Sequence, residues 1–321
     1  MTHNMPNPPL VEVVAAILTR PDDSFLLACR PPGKPYAGYW EFPGGKIEAS
    51  ESALQALSRE LHEELGITVD RAFPWITRVF RYPHATVRLQ FYRVAEWQGE
   101  PIAREHQQLA WQSAGNITVS PLLPANQPIL RSLMLPSTYA ITNASETGET
   151  HSLHAIRQAL QRGLRLLQIR EKHLTDSQLT RYAQAVLQLA QGTQAKVLIN
   201  GNIALAKELG LDGVHLTAAQ LLSLHTRPEV DWCGASCHNE EELYHAESLG
   251  IDFVTVSPVC PTPSHPNAPT LGWRKLAKLI RGYSLPVYAL GGLMPDDLIP
   301  AQEQGAHGIA LMRNLCTSAQ P

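Results

Sequence analysis

Residues 45–67 read GKIEASESALQALSRELHEELGI, and the spacing inside this stretch decides the first half of the chain. Helical periodicity runs from about Ser52 to Leu65, with Ser52 and Gln55 placed for a capping box and Gly66 as a natural stop. On that helix Glu60, Glu63 and Glu64 stand at i, i+3 and i+4, so their carboxylates share one face. Carboxylates packed this closely repel one another unless a cation lies between them. Hard oxygen ligands suit Mg²⁺ or Mn²⁺, which bind through a few carboxylates together with substrate phosphates. Arg59 is placed to orient a carboxylate, and Gly45 and Gly66 let the backbone turn tightly at the two ends. A solvated acidic helix face would need only the ExxEE core, whereas here Gly45, Glu51, Arg59, Glu60, Glu63, Glu64 and Gly66 fall into one spaced pattern, with aliphatic Leu61 inside it and aliphatic Ile67 at its end.

Working outward, Val11–Thr19 and Ser24–Arg30 read as a strand pair around a Pro21-Asp22-Asp23 turn. A Pro/Gly-rich loop covers 31–39. Trp75–Tyr82 and Thr86–Glu96 read as further strands, and Pro124–Leu133 as a short helix. Strands around one catalytic helix predict an α+β domain over residues 1–135. After the linker-like Leu133–Ser137 the pattern changes: short apolar runs alternate with helix-length amphipathic segments. The runs are Tyr139–Thr142, Leu164–Arg170, Lys196–Asn200, Gly213–Leu216, Trp232–Cys237, Phe253–Val259, Pro286–Leu290 and Gly308–Met312. They predict a short α/β domain over 136–321, a (β/α)8 TIM barrel whose last helix is vestigial or missing.

Barrel active sites gather at the C-terminal ends of the strands. The residues there are Gln168, Arg170 and Lys172, then Asn200, Ser236 and His238, Thr262 and Ser264, Gly291 and Gly292, and finally Met312 and Arg313. Glycines after the seventh strand, with backbone amides after the eighth, make a usual phosphate cradle.

Bulk properties narrow the partners. The formal net charge is −3 and neither half carries a basic excess, which favours small phosphorylated ligands over nucleic acid. The five cysteines fit no zinc ribbon and read as small packed residues in a reducing compartment. MTHNMPNPPL lacks the features of a signal peptide, and no apolar run approaches membrane-spanning length, so a cytoplasmic protein without a membrane partner is expected.

The spaced motif resembles that of the Nudix hydrolases, and more closely their MutT-type 8-oxo-dGTP diphosphatases, over roughly 9–133. The resemblance extends to Trp40–Lys46 (WEFPGGK), to Trp97–Pro101 followed by Glu105, and to Pro124-Ala125-Asn126. It implies metal ligation by the Gly44 carbonyl, Glu60, Glu63, Glu64 and Glu105, with Glu60 the first candidate for general base. It further implies substrate contacts at Arg30, Glu41, Phe42, Pro43 and Asn126, the last as base reader. A His of the family's pocket aligns with Pro35. Hydrolysis of a nucleoside triphosphate to monophosphate and pyrophosphate, with Mg²⁺ or Mn²⁺, is the implied reaction.

The second half resembles thiamine phosphate synthase and the TenI-type thiazole tautomerase over roughly 138–314, through QIREK, DGVHL, GASCH, PTPS and ALGG. It departs where synthases hold metal. Gly201 and Gln220 stand in place of two metal-binding Asp residues, and His265 replaces a Lys. Without those carboxylates nothing stabilises pyrophosphate departure, so synthase activity is not expected. Two alternatives stay open: a thiamine-pathway enzyme whose Nudix half trims a thiamine-related diphosphate while the barrel runs a thiamine phosphate synthase or metal-free TenI-like reaction on a thiazole or pyrimidine phosphate, with His238 as proton carrier, or a barrel that binds a phosphorylated metabolite as a regulatory module.

Overall fold

Strand β1 (Leu10–Leu18, LVEVVAAIL) is buried from Val14 onward, and its alternation divides two cores. Val14, Ala16 and Leu18 pack with Ala56, Leu57, Leu61 and Leu65 of helix α1 (Ala53–Leu65). Ala15 and Ile17 pack on the opposite side with Phe25, Trp40, Phe42 and Phe91. In the computed structural model, which describes residues 10–83, 85–105, 108–262 and 269–313, the chain divides into two compact units. These are Met1–Met134 with Gly282–Ser284, and Leu135–Arg281 with Leu285–Pro321.

The first unit adds β2 (Phe25–Cys29), β3 (Trp40–Glu41), β4 (Thr68–Arg81), β5 (Thr86–Gln98) and β6 (Leu109–Gln112). They form two three-stranded sheets, ordered β1-β5-β4 and β3-β2-β6. Helix α1 starts at the expected capping box: Ser52 accepts from the Gln55 backbone N–H, and the Gln55 side chain accepts from the Ser52 N–H. It stops at Gly66, whose φ of 72° is left-handed. Strand β4 is longer than the expected Trp75–Tyr82 because register shifts near Asp70 and Pro74 absorb both residues, and an edge strand tolerates the missing Pro N–H. The single helix expected over Pro124–Leu133 is instead a 3₁₀ turn (Pro124–Asn126) followed by α2 (Gln127–Leu133). The cause is Pro128: it is harmless in the first turn of α2 but would break a ladder begun at Pro124. Strand β6 escaped the sequence reading.

The second unit is a closed barrel of eight parallel strands. In chain order they are β7 (Thr138–Ile141), β8 (Leu166–Ile169), β9 (Lys196–Asn200), β10 (Gly213–Leu216), β11 (Trp232–Cys237), β12 (Phe253–Val256), β13 (Val287–Leu290) and β14 (Gly308–Leu311). Tyr139, Leu166, Leu198, Trp232, Phe253 and Tyr288 form one core, and a second joins the β7–β9 strands to the helices between them. Leu135, read from sequence as linker and as the end of the first domain, is 4% exposed within the first of these cores. Its carbonyl accepts from His307 Nε2 at 3.0 Å. The segment expected to hold a vestigial eighth helix lies outside the described residues.

Candidate functional site

In the first unit, backbone bonds from Val14 N–H to the Gly45 carbonyl (2.9 Å) and from Ala16 N–H to the Pro43 carbonyl (2.8 Å) pin the loop after β3 against β1. Glu60 then lies against Gly45 so closely that a Cβ there would stand 2.2 Å from its carboxylate carbon. Glu64 accepts from the Gly44 N–H at 3.3 Å, and burial pushes its carboxyl up to about 7. Glu60 and Glu64 line a cleft of about 750 Å³. Glu63 does not line it, and its side chain is 52% exposed. Arg59 spends its guanidinium on four partners: Glu51, Glu60 (2.9 Å), Glu63 (3.2 Å) and the Lys46 carbonyl (3.1 Å). With its guanidinium N–H groups engaged in this way, Arg59 holds these carboxylates against the Lys46 backbone.

The other expected contacts divide. Arg30 reaches both oxygens of Glu41 at 2.6 Å and the Pro35 carbonyl at 2.7 Å, and all three residues line the cleft. Pro35, where a family His aligns, thus serves through its backbone. Burial raises the Glu41 carboxyl even against the Arg30 charge. Phe42 and Pro43 are not among the residues lining the cleft. Phe42 points with Trp40 into the core, 5.7 Å from the Phe25 ring and 5.9 Å from the Phe91 ring. Asn126 is 4% exposed, with Nδ2 3.4 Å from the Trp40 carbonyl, so its amide is turned to the backbone rather than to the cleft. Glu105 stands beside the cleft and pairs with Lys34 at 3.0 Å.

Among the described residues no three acidic, His or Cys side chains converge into a closed metal cage. The donor set still fits Mg²⁺ or Mn²⁺, which keep waters and take substrate phosphates, so one or two carboxylates suffice. The buried, raised Glu64 beside Glu60 supplies them. Lys34, Tyr36 and Tyr82, all on the cleft wall, were missed. Tyr36 carries a signal only in three dimensions, a φ of 61°.

In the barrel, a cavity of about 480 Å³ collects Gln168, Arg170, Lys172, Asn200, Ser236 and His238 from the ends of β8, β9 and β11. Thr262, Gly291, Gly292, Met312 and Arg313 complete it from the later strands. Ser264 and His265 lie outside the described residues. Gln168 is 1% exposed, and its Nε2 has no hydrogen-bond partner among the described residues, so a donor is buried beside the cavity. The Arg170 charge and partial burial hold Lys172 below its usual range. Arg313 is paired with Glu146. The His238 ring meets Glu242 Oε2 through Nδ1 at 3.0 Å, an orientation that leaves Nε2 as the free nitrogen.

Gly201 and Gln220 are bonded to each other. Gln220 Nε2 donates to the Gly201 carbonyl at 2.7 Å, while its Oε1 accepts from the Thr217 N–H at 3.2 Å. Gly201 has φ +69°, and a Cβ there would sit 3.0 Å from Gln220 Oε1. His215 was passed over inside DGVHL. It is 2% exposed, lines the cavity, and bonds Tyr139 Oη (3.2 Å) and Ser236 Oγ (3.0 Å). Burial lowers it to about 3, so it is a neutral imidazole. A polar side chain inside a four-residue apolar strand was the available clue.

A carboxylate helix behind a double glycine is thus joined in one chain to a parallel barrel with a cationic cavity. A family model described as NUDIX domain matches residues 9–133, and one described as thiamine monophosphate synthase matches 138–315. The chain belongs to both families, one in each half. The CTP pyrophosphohydrolase of Escherichia coli K12 is 42% identical over 125 residues, which are 39% of this chain and 92% of that protein. The 8-oxo-dGTP diphosphatase of Haemophilus influenzae is 36% identical over 125 residues, with the same coverage of 39% and 92%. The thiamine-phosphate synthase of Vibrio parahaemolyticus is 30% identical over 174 residues, 52% of this chain and 84% of that protein. The Nudix half is that of a hydrolase acting on phosphoric anhydrides. Among the described residues no helix is long and apolar enough to cross a membrane.

Proposed function

We propose that the Nudix half is a Mg²⁺- or Mn²⁺-dependent pyrophosphohydrolase that clears oxidised guanine nucleotides, 8-oxo-dGTP first. The carrying observation is the pair Glu60 and Glu64, pressed against Gly45 and Gly44 on the wall of a cleft large enough for a nucleotide. Glu60, Glu64 and the Gly44 carbonyl would hold the metal, with Glu105 and Glu63 as further candidate ligands. A bound ion would neutralise the phosphate chain and acidify an attacking water. Glu60, fixed by Arg59, is the base that takes the water's proton. Arg30 and Glu41 form the opposite wall, and Asn126 reads the base after turning away from the Trp40 carbonyl.

The 42% identity to a CTP pyrophosphohydrolase favours a second reading, a cytidine nucleotide in the same cleft. Initial rates with 8-oxo-dGTP, 8-oxo-GTP, dGTP and CTP decide between them. The first reading requires the oxidised guanines to lead, and it fails if they are turned over no faster than dGTP.

The barrel, in this reading, binds a thiazole or pyrimidine phosphate without a metal and does not make thiamine phosphate. The Gln220–Gly201 bond supports this, since it fills the place of the family's metal carboxylates with an internal contact. His238, oriented by Glu242, is the candidate proton carrier for a TenI-like step. Thiamine phosphate formed from the two synthase substrates would overturn this part. The free thiols Cys29, Cys233, Cys237 and Cys260 accord with a cytoplasmic setting.

A further inference from the structure

Lys34 lies on the loop between β2 and β3, on the wall of the same cleft as Glu60 and Glu64. Its ammonium stands 3.0 Å from Glu105 Oε2 and 4.0 Å from Glu64 Oε1. The other two cations bonded at this site have different partners. Arg59 ties Glu51, Glu60 and Glu63 to the loop, and Arg30 shapes the far wall through Glu41 and Pro35. Lys34 alone of these three touches Glu64 and Glu105, and its side chain is 47% exposed, free enough to swing on its four-carbon stem.

We infer that Lys34 is an internal counter-ion: in the metal-free protein it neutralises Glu64 and Glu105, and it passes to the nucleotide's phosphate chain when a divalent cation takes those carboxylates. A divalent ion and an ammonium compete for the same oxygens and repel each other at contact distance. The ammonium is therefore driven off as the ion enters, and the phosphates arriving with that ion are the nearest new anion. Such an exchange makes the two ligands help each other. The metal alone binds weakly because it must displace Lys34, and the nucleotide lowers that cost by receiving the displaced charge. The inference rests on the metal-site reading above.

Mn²⁺ binding to the full-length protein, followed by electron paramagnetic resonance without nucleotide, tests it on Lys34→Met and Lys34→Arg, alongside KM and kcat. Lys34→Met should bind Mn²⁺ about fivefold more tightly, the loss of one exposed ion pair, and raise KM for the nucleoside triphosphate about tenfold with little change in kcat. Lys34→Arg should restore wild-type Mn²⁺ affinity. Unchanged or weaker Mn²⁺ binding by Lys34→Met overturns the counter-ion role, and tighter binding with unchanged KM overturns the transfer to phosphate. A wild-type protein that takes up Mn²⁺ keeps the metal-site reading intact through either failure. One that takes up none, with or without nucleotide, removes both.

Discussion

Glu41, Glu48, Glu60 and Glu64 line the Nudix cleft together with Arg30, Lys34 and Lys46, whereas no Asp or Glu is among the described residues lining the barrel cavity, where Arg170, Lys172 and Arg313 supply the charge. Both halves gather like charges around a space sized for a small molecule, and each holds a group with displaced titration. Glu64 is raised by burial in one; Lys172 is lowered by Arg170 in the other. The difference teaches how each set of charges meets an anion. Carboxylates that crowd a cleft need a cation between them before an anion can settle beside them, while a cavity lined by cations and no carboxylate accepts one directly.

The widest separation between the halves should come from chelation. Excess EDTA should abolish nucleotide hydrolysis and leave calorimetric binding of a thiazole phosphate unchanged. Loss of both would erase the contrast. Next in size, Glu60→Gln and Glu64→Gln should each lower kcat about 10³-fold, with Glu63→Gln costing less because its half-exposed side chain stands off the cleft. An equal loss at Glu63 would show that the ion sits on the outer helix face. Gly45→Ala should cost about 100-fold in kcat while the fold survives in circular dichroism, because a methyl group there pushes the Glu60 carboxylate aside. In the barrel, Arg170→Ala should weaken the phosphate ligand about tenfold without altering hydrolysis.

A further contrast is a pH dependence confined to the barrel. His215 stays uncharged in the folded state down to about pH 3 but takes a proton near its ordinary 6.5 when unfolded. The unfolded chain therefore binds more protons between these values, and stability falls as pH drops from 6.5 toward 3, by at most about 1.4 kcal/mol per pH unit. His215→Gln should flatten that slope in barrel unfolding curves across the same window. An unaltered slope would place the acid sensitivity elsewhere.

Helix α1 and its caps were legible because local chemistry writes them: the capping box, the left-handed stop at Gly66 and the i, i+3, i+4 carboxylates all act within a few residues. The barrel's eight strands were legible for a similar reason, and β9, β10 and β11 begin and end where the apolar runs do. The sites were less so. Phe42 and Asn126 sit in motif positions, yet packing against Phe25 and Phe91 and the Trp40 carbonyl turns them inward. Lys34 and His215 gave little sign of a site role, since their partners lie 71, 76 and 21 residues away.

The sequence by itself determined two families, two architectures, the carboxylates of the first half and the missing carboxylates of the second, because each depends on spacing along one element. Only the tertiary structure decided which carboxylates face the cleft, that Arg59 is fully occupied, and that Gln220 bonds to Gly201. Those facts depend on which side chains long loops bring within hydrogen-bond distance, and residue order does not encode such distances locally. Gly45–Ile67 thus names the chemistry, and the contact of Gly45 with Glu60 aims it.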